Sequence, residues 1–215
     1  MEHESQYTPY RQSVFNACQW LSENGFFGTR RGTGGNVSLR VENRELLAIT
    51  PTSKPYGDLS AGHICLVDFN ETLLAGPFPP SIEIAMHIAV YRARPEAQAV
   101  VHTHQSYASV FAVLNHPLPA LFEEVLIKLG PRIEIVPFAP SGSRDLAERV
   151  AEAMQNGAWG YIIQNHGALV LGRNVDEALL NAELLEKLCR VYYRALATGL
   201  PVTGLPSSIS VPFRM

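Results

Sequence analysis

Residues 99–104, AVVHTH, place two histidines one residue apart at the end of an apolar run. The run reads as a buried strand. Side chains alternate across a strand, so residues two apart share a face and His102 and His104 point the same way. A third histidine has a similar setting: Ile162 and Ile163 lead into Gln164, Asn165, His166 and Gly167, and Leu169, Val170 and Leu171 resume the apolar character. Buried imidazoles need either several hydrogen-bond partners or a metal. Three neutral rings converging at strand ends can hold Zn2+ or a similar divalent ion and leave a position open for substrate.

The chain around this feature is expected to form one domain over residues 1–215, with a core over about 10–200 and a polar tail over 201–215, because no linker or repeat of fixed period interrupts it. Hydrophobic residues make up 47% and charged residues 17%, enough apolar material for a full core. A net charge of -3 without a dense Lys/Arg stripe argues against nucleic acid or an anionic membrane as partner. Cys18, Cys65 and Cys189 are odd in number and lie within apolar runs, which reads as buried thiols in a reducing cytoplasm. The opening MEHESQYTPY has neither a basic nor an apolar leader character, so a soluble, cytoplasmic protein is expected.

In chain order, residues 9–24 read as an amphipathic helix closed by Gly25. GTRRGTGGN then forms a glycine-rich loop, a plain turn or an anion site with Arg30 and Arg31 nearby. Residues 37–41 and 45–50 read as a hairpin, and the following Pro51, Thr52, Ser53 and Lys54 suit either a simple loop or a phosphate or carboxylate site. Short strands are expected at 64–68 and 72–74. Ser81 is the expected N-cap of a helix over 81–92, with Glu83 in its first turn: a dipole-complementing acid, or a carboxylate aimed at the metal site. His87, four residues on, shares that face and is a partner to Glu83 or a group behind it. Further helices are expected at 107–114, 122–129 and 143–154, with a strand at 133–136 and a loop at 137–142. Asn174 and Glu177 suggest a capping box opening a long final helix, and Phe213 in the tail is a candidate docking residue. Hairpins interleaved with about five helices point to a mixed or mainly antiparallel sheet covered by helices.

GTGGNVSLR, ITPTS, PSIE followed by His87, AVVHTH and the NHG of residues 165–167 stand in the order and near the separations of the class II aldolase/adducin family, which the chain resembles over residues 10–200. The resemblance implies an α/β fold, a three-layer αβα sandwich around a central, largely antiparallel sheet, in a homotetramer with active sites at subunit interfaces. It implies His102, His104 and His166 as ligands of Zn2+, with Mn2+, Co2+ or Fe2+ as alternatives. It implies Glu83 as the acid/base, Asn36 as the residue that hydrogen-bonds an enediolate, and Gly35, Asn36, Thr52, Ser53 and Ser81 around the substrate and its phosphate.

The activity so implied is retro-aldol cleavage of a ketose phosphate or related hydroxy-keto substrate by a metal-dependent lyase. The small-molecule partner is then a phosphorylated sugar or keto acid. Two departures bear on the substrate. The serine pair of the sugar-phosphate aldolases is here Ser81 followed by Ile82, and the acidic tyrosine that family aldolases supply across the interface aligns with Glu123. Both favour, as alternatives, a decarboxylase or dehydratase on the same scaffold. A non-catalytic adducin-like assembly module is the remaining alternative, and such modules typically lack the histidines present here.

Overall fold

The computed structural model describes residues 6–29, 31–206 and 208–209, so Arg30 and Phe213 lie outside the described residues. Helix α1 (Thr8–Glu23) opens with Pro9 in its first turn and ends where Gly25 takes a φ of 79°. The hairpin follows as β1 (Asn36–Arg40) and β2 (Leu46–Ile49), then β3 (Cys65–Asp68) and β4 (Leu73–Ala75). Helix α2 (Ile84–Ala93), β5 (Ala99–Thr103) and α3 (Ser106–Leu114) form the middle of the chain. After it come β6 (Leu118–Pro119), α4 (Glu123–Lys128), β7 (Arg132–Val136) and α5 (Arg144–Ala153). Strands β8 (Gly160–Ile163) and β9 (Gly167–Gly172) lead into α6 (Val175–Ala197).

One nine-stranded sheet runs in the order β4-β3-β2-β1-β5-β9-β8-β7-β6. Every pairing is antiparallel except β7 with β8, the pair that α5 connects as a crossover. Helices α1, α3 and α6 cover one face, while α2 and α5 pack together on the other, so the expected three-layer α/β sandwich is what the chain forms. Strand β5 lies at the centre between β1 and β9, and Ala99, Val100 and Val101 are fully buried, which is why the apolar run precedes the histidines. Strand β6 went unread from sequence; two residues containing a proline form a ladder only at a sheet edge.

Two expected helix starts differ in detail. Helix α2 begins at Ile84 with Glu83 at its N-cap position, because Ser81 is tied to the end of β2 through its N–H and Thr50 O at 3.0 Å. Ser81 Oγ still accepts the Glu83 N–H at 3.3 Å. At α6, Asn174 accepts the Glu177 N–H at 2.8 Å as expected, but the Glu177 carboxylate accepts from the N–H of Arg173, whose guanidinium also draws it. The capping box is therefore only half formed. The three cysteines are buried free thiols, and burial pushes Cys18 up to about 12 and Cys65 up to about 11. No helix among the described residues is long and apolar enough to cross a membrane.

Candidate metal centre and cleft

Strand pairing places His102 opposite Asn36 of β1 and Leu169 of β9, at the end of the central strand where the backbone ladder runs out. His102 is fully buried. Its Nδ1 lies 2.9 Å from the Ala168 carbonyl, so that nitrogen carries a hydrogen and Nε2 is turned toward His104 and Glu83. His104 sits one residue beyond β5, its N–H donating to Phe26 O at 2.9 Å and its Nε2 3.0 Å from His102 Nε2. His166 comes from the β8–β9 turn, where Asn165 takes a left-handed φ of 53°, a conformation asparagine tolerates. A Cβ on the following Gly167 would stand 2.7 Å from His104 Cδ2, so only glycine lets both rings close in. One ligand atom from each of the three histidines lies within 4.8 Å of the others.

Glu83 closes this group. Its Oε2 is 3.3 Å from His102 Nε2 and its Oε1 is 3.3 Å from His166 Nε2. Asn36 Nδ2 donates to Oε2 at 2.7 Å, while Oε1 is buried and receives no hydrogen bond. Burial alone would lift the Glu83 carboxyl; His102, His166, the Asn36 hydrogen bond and His87 outweigh it and hold it below the usual carboxylate range. Burial, reinforced by neighbouring histidine charge, takes His104 down to about 3 and His166 down to about 4, so both rings are neutral at physiological pH.

The donor set fits a divalent cation. Glu83 Oε1 and His166 Nδ1 are buried without a hydrogen-bond partner among the described residues, beside three imidazoles whose ligand atoms converge on the carboxylate. Donors about 2.0–2.1 Å from a tetrahedral ion stand roughly 3.3 Å apart, close to the 3.0 and 3.3 Å separations found here. Nitrogen-rich donors with one carboxylate suit a borderline ion.

Above the centre opens a cleft of about 180 Å³. Gly35, Asn36, Thr52, Ser53 and Ser81 all line it, as do Glu83, His104 and His166, so the structure gathers nearly every residue singled out from sequence. The glycine loop serves close approach as well: a Cβ on Gly34 would lie 2.7 Å from His104 Nδ1. Glu123 is the exception. It is exposed at the start of α4 and does not line this cleft. Among the described residues, the lining holds no lysine or arginine.

Sequence reasoning missed Ser141, whose Oγ lies 3.3 Å from His166 Nε2; nothing in PFAPSG distinguishes it from an ordinary loop serine. Ile82, singled out from sequence where a second serine is expected, stands 61% exposed on the cleft wall. Of the two roles expected for His87, the structure gives the second: its imidazole bonds Asn36 behind Glu83, and only its backbone N–H meets Glu83, at the carbonyl oxygen.

A helix-covered mixed sheet carrying three histidines and one glutamate at its strand ends defines a class, an αβα protein with a donor set that could hold a divalent ion. Residues 12–193 match the family described as Class II Aldolase and Adducin N-terminal domain, and the chain belongs to that family. An L-fuculose phosphate aldolase of Escherichia coli O6:H1 is 38% identical over 194 residues, covering 90% of this chain and 87% of the relative. An L-fuculose phosphate aldolase of Methanococcus maripaludis is 36% identical, covering 75% of this chain and 86% of the relative. Among solved structures, an L-fuculose 1-phosphate aldolase superimposes with a TM-score of 0.86 at 30% identity, covering 93% of this chain and 91% of that one. The relatives are lyases, and this protein is an enzyme of that class.

Proposed function

We propose that the protein is a metal-dependent aldolase that cleaves a ketose phosphate, or a related hydroxy-keto compound, into two smaller carbonyl compounds. The observation that carries the reading is the Glu83 carboxylate held between His102, His166 and Asn36 on the floor of a hydroxyl-lined cleft. His102, His104 and His166 hold the ion, Zn2+ by the preference of such nitrogen donors, with Mn2+, Co2+ and Fe2+ as alternatives. Bound there, the ion supplies Lewis acidity toward a carbonyl and a neighbouring hydroxyl oxygen.

The remaining work falls to side chains. Carbon–carbon cleavage moves the bonding pair into the ketose carbonyl as an enediolate, while the hydroxyl carbon on the far side becomes an aldehyde. Glu83, ionised and desolvated in the resting site, takes up a proton from solvent and delivers it to the enediolate carbon in cleavage, and removes the same proton in the condensation direction, a contribution of about 10²–10⁴-fold. Asn36 Nδ2 has a second hydrogen for the developing oxyanion. Gly35, Thr52, Ser53 and Ser81 hold the phosphate through hydroxyl and backbone donors, and Ser141 adds a hydroxyl beside His166. The proton of the aldehyde-side hydroxyl is assigned to Glu123 from a neighbouring subunit of a homotetramer, since this carboxylate stays out of its own chain's cleft. Three buried thiols suit a reducing cytoplasm.

A second reading, a decarboxylase or dehydratase on the same scaffold, is favoured by Ile82 on the wall where a second phosphate-binding serine is expected. A structural neighbour, Escherichia coli YgbL, described as an aldolase, epimerase or decarboxylase, has a TM-score of 0.81 at 25% identity, covering 93% of this chain and 95% of its own. The test is a product assay on metal-loaded protein with a panel of ketose 1-phosphates and 3-keto acid phosphates. Dihydroxyacetone phosphate release supports the aldolase; CO2 or water loss with one surviving carbon chain moves the protein to the second reading.

A further inference from the structure

Glu83 is the outer end of a buried chain of five polar side chains. Asn36 Nδ2 lies 2.7 Å from Glu83 Oε2, and Asn36 Oδ1 lies 2.5 Å from His87 Nε2. His87 Nδ1 lies 2.6 Å from Ser38 Oγ, which in turn lies 2.7 Å from Tyr91 Oη. Asn36 and Ser38 share one face of β1, and His87 and Tyr91 stand four residues apart on one face of α2, so strand and helix interleave the chain. His87, Ser38 and Tyr91 are essentially inaccessible to water. Polar groups this deep cost stability unless each is satisfied, and here each is.

The direction of every bond follows from chemistry. An ionised carboxylate only accepts, so the Asn36 atom beside Glu83 is the amide nitrogen and the atom beside His87 is the oxygen. That oxygen needs a donor, so His87 carries its hydrogen on Nε2. Burial takes His87 down to about 3, so the ring is neutral with one N–H, and Nδ1 must accept. Ser38 therefore donates to His87, and the single Tyr91 hydrogen goes to Ser38 at 2.7 Å in preference to Gln98 O at 3.4 Å. The other four groups are all polarised toward Glu83. An amide in the middle passes no proton, so the chain is a lock on polarity.

We propose that His87 is a positioning residue: as the Nε2–H tautomer, held by Ser38 and Tyr91, it fixes the Asn36 amide with its NH2 toward Glu83 and the cleft. Without it the two ends of the amide are nearly equivalent in shape, and a flip would turn a carbonyl oxygen on the Glu83 carboxylate and remove the donor from the oxyanion position. The consequence for turnover rests on the roles proposed above for Asn36 and Glu83; the tautomer does not.

The tautomer is read by long-range 1H–15N correlation on metal-loaded protein labelled at histidine. His87 is expected with a protonated Nε2 and an unprotonated Nδ1, unchanged between about pH 5 and 8. A hydrogen on Nδ1, or a doubly protonated ring, overturns the proposal whatever reaction is catalysed. On the substrate found by the product assay, His87→Leu is expected to lower kcat roughly ten- to hundredfold with little change in KM or metal content. His87→Gln, whose amide can donate from near the Nε2 position, recovers most of that loss. A His87→Leu enzyme that turns over like wild type, or a glutamine variant no better than leucine, overturns it. Absence of turnover on the whole panel would count against the aldolase reading and leave the spectroscopic result standing.

Discussion

The two walls of the cleft are built differently. The wall of His102, His104, His166 and Glu83 hangs from the ends of central strands, the tight β8–β9 turn and the start of α2, and two of its members are held from behind: His102 by the Ala168 carbonyl, Glu83 by Asn36 and the buried chain beneath it. The opposite wall is made of turns. Thr52 and Ser53 follow β2, with Ser53 at a left-handed φ of 55°, and among the described residues their hydroxyls bond only each other, at 3.3 Å. Groups meant to meet charge in a transition state need preorganisation, which packed strand ends supply. Groups that choose a substrate can sit on loops, where a change such as serine to Ile82 leaves the sheet untouched.

Breaking the first wall should have the largest effect. His104→Ala is expected to abolish bound metal, read by elemental analysis, and to cut turnover by about a thousandfold or more while circular dichroism stays native; metal retained at full occupancy would sink the ligand assignment. Glu83→Gln separates holding the ion from moving the proton: metal stays, and kcat falls by about 10²–10⁴-fold. A variant with near wild-type kcat would remove Glu83 from its assigned role.

Acid should tell the walls apart next. His87, His104 and His166 lie at about 3, 3 and 4, below the ordinary histidine value of 6.5, and Glu83 also lies below its ordinary range. For each group the unfolded chain binds more protons than the folded one, so stability rises with pH through the interval between the two values. The metal-free protein is therefore expected to lose melting temperature continuously from about pH 6.5 down toward pH 3, and a flat profile there would contradict the burial assigned to these rings. Hydroxyl substitutions on the second wall add nothing to this slope.

The smallest effects belong to that second wall. Thr52→Ala should raise KM for a phosphorylated ketose about two- to tenfold at unchanged kcat, the worth of one neutral hydrogen bond. Ile82→Ser, at a position open enough to accept it, should lower KM by a similar factor if the wall is one donor short. A lowered kcat in either variant would place these residues in the chemistry and dissolve the contrast.

What could be read from the chain alone were features with a local period. The two-residue alternation of a strand made His102 and His104 partners, and the turn chemistry of Asn165 and Gly167 marked where a third ring emerges. The ordered motifs named the family and with it the sandwich. Tertiary structure alone decided which distant groups meet: that Ser141 reaches His166, that Glu123 stays outside its own cleft, and that the His87 imidazole bonds Asn36 across 51 positions and not the Glu83 carboxylate four residues away. Periodicity fixes the face of an element on which a side chain stands, whereas the partner it finds there depends on how strand and helix pack, a non-local quantity written in no single stretch of the chain.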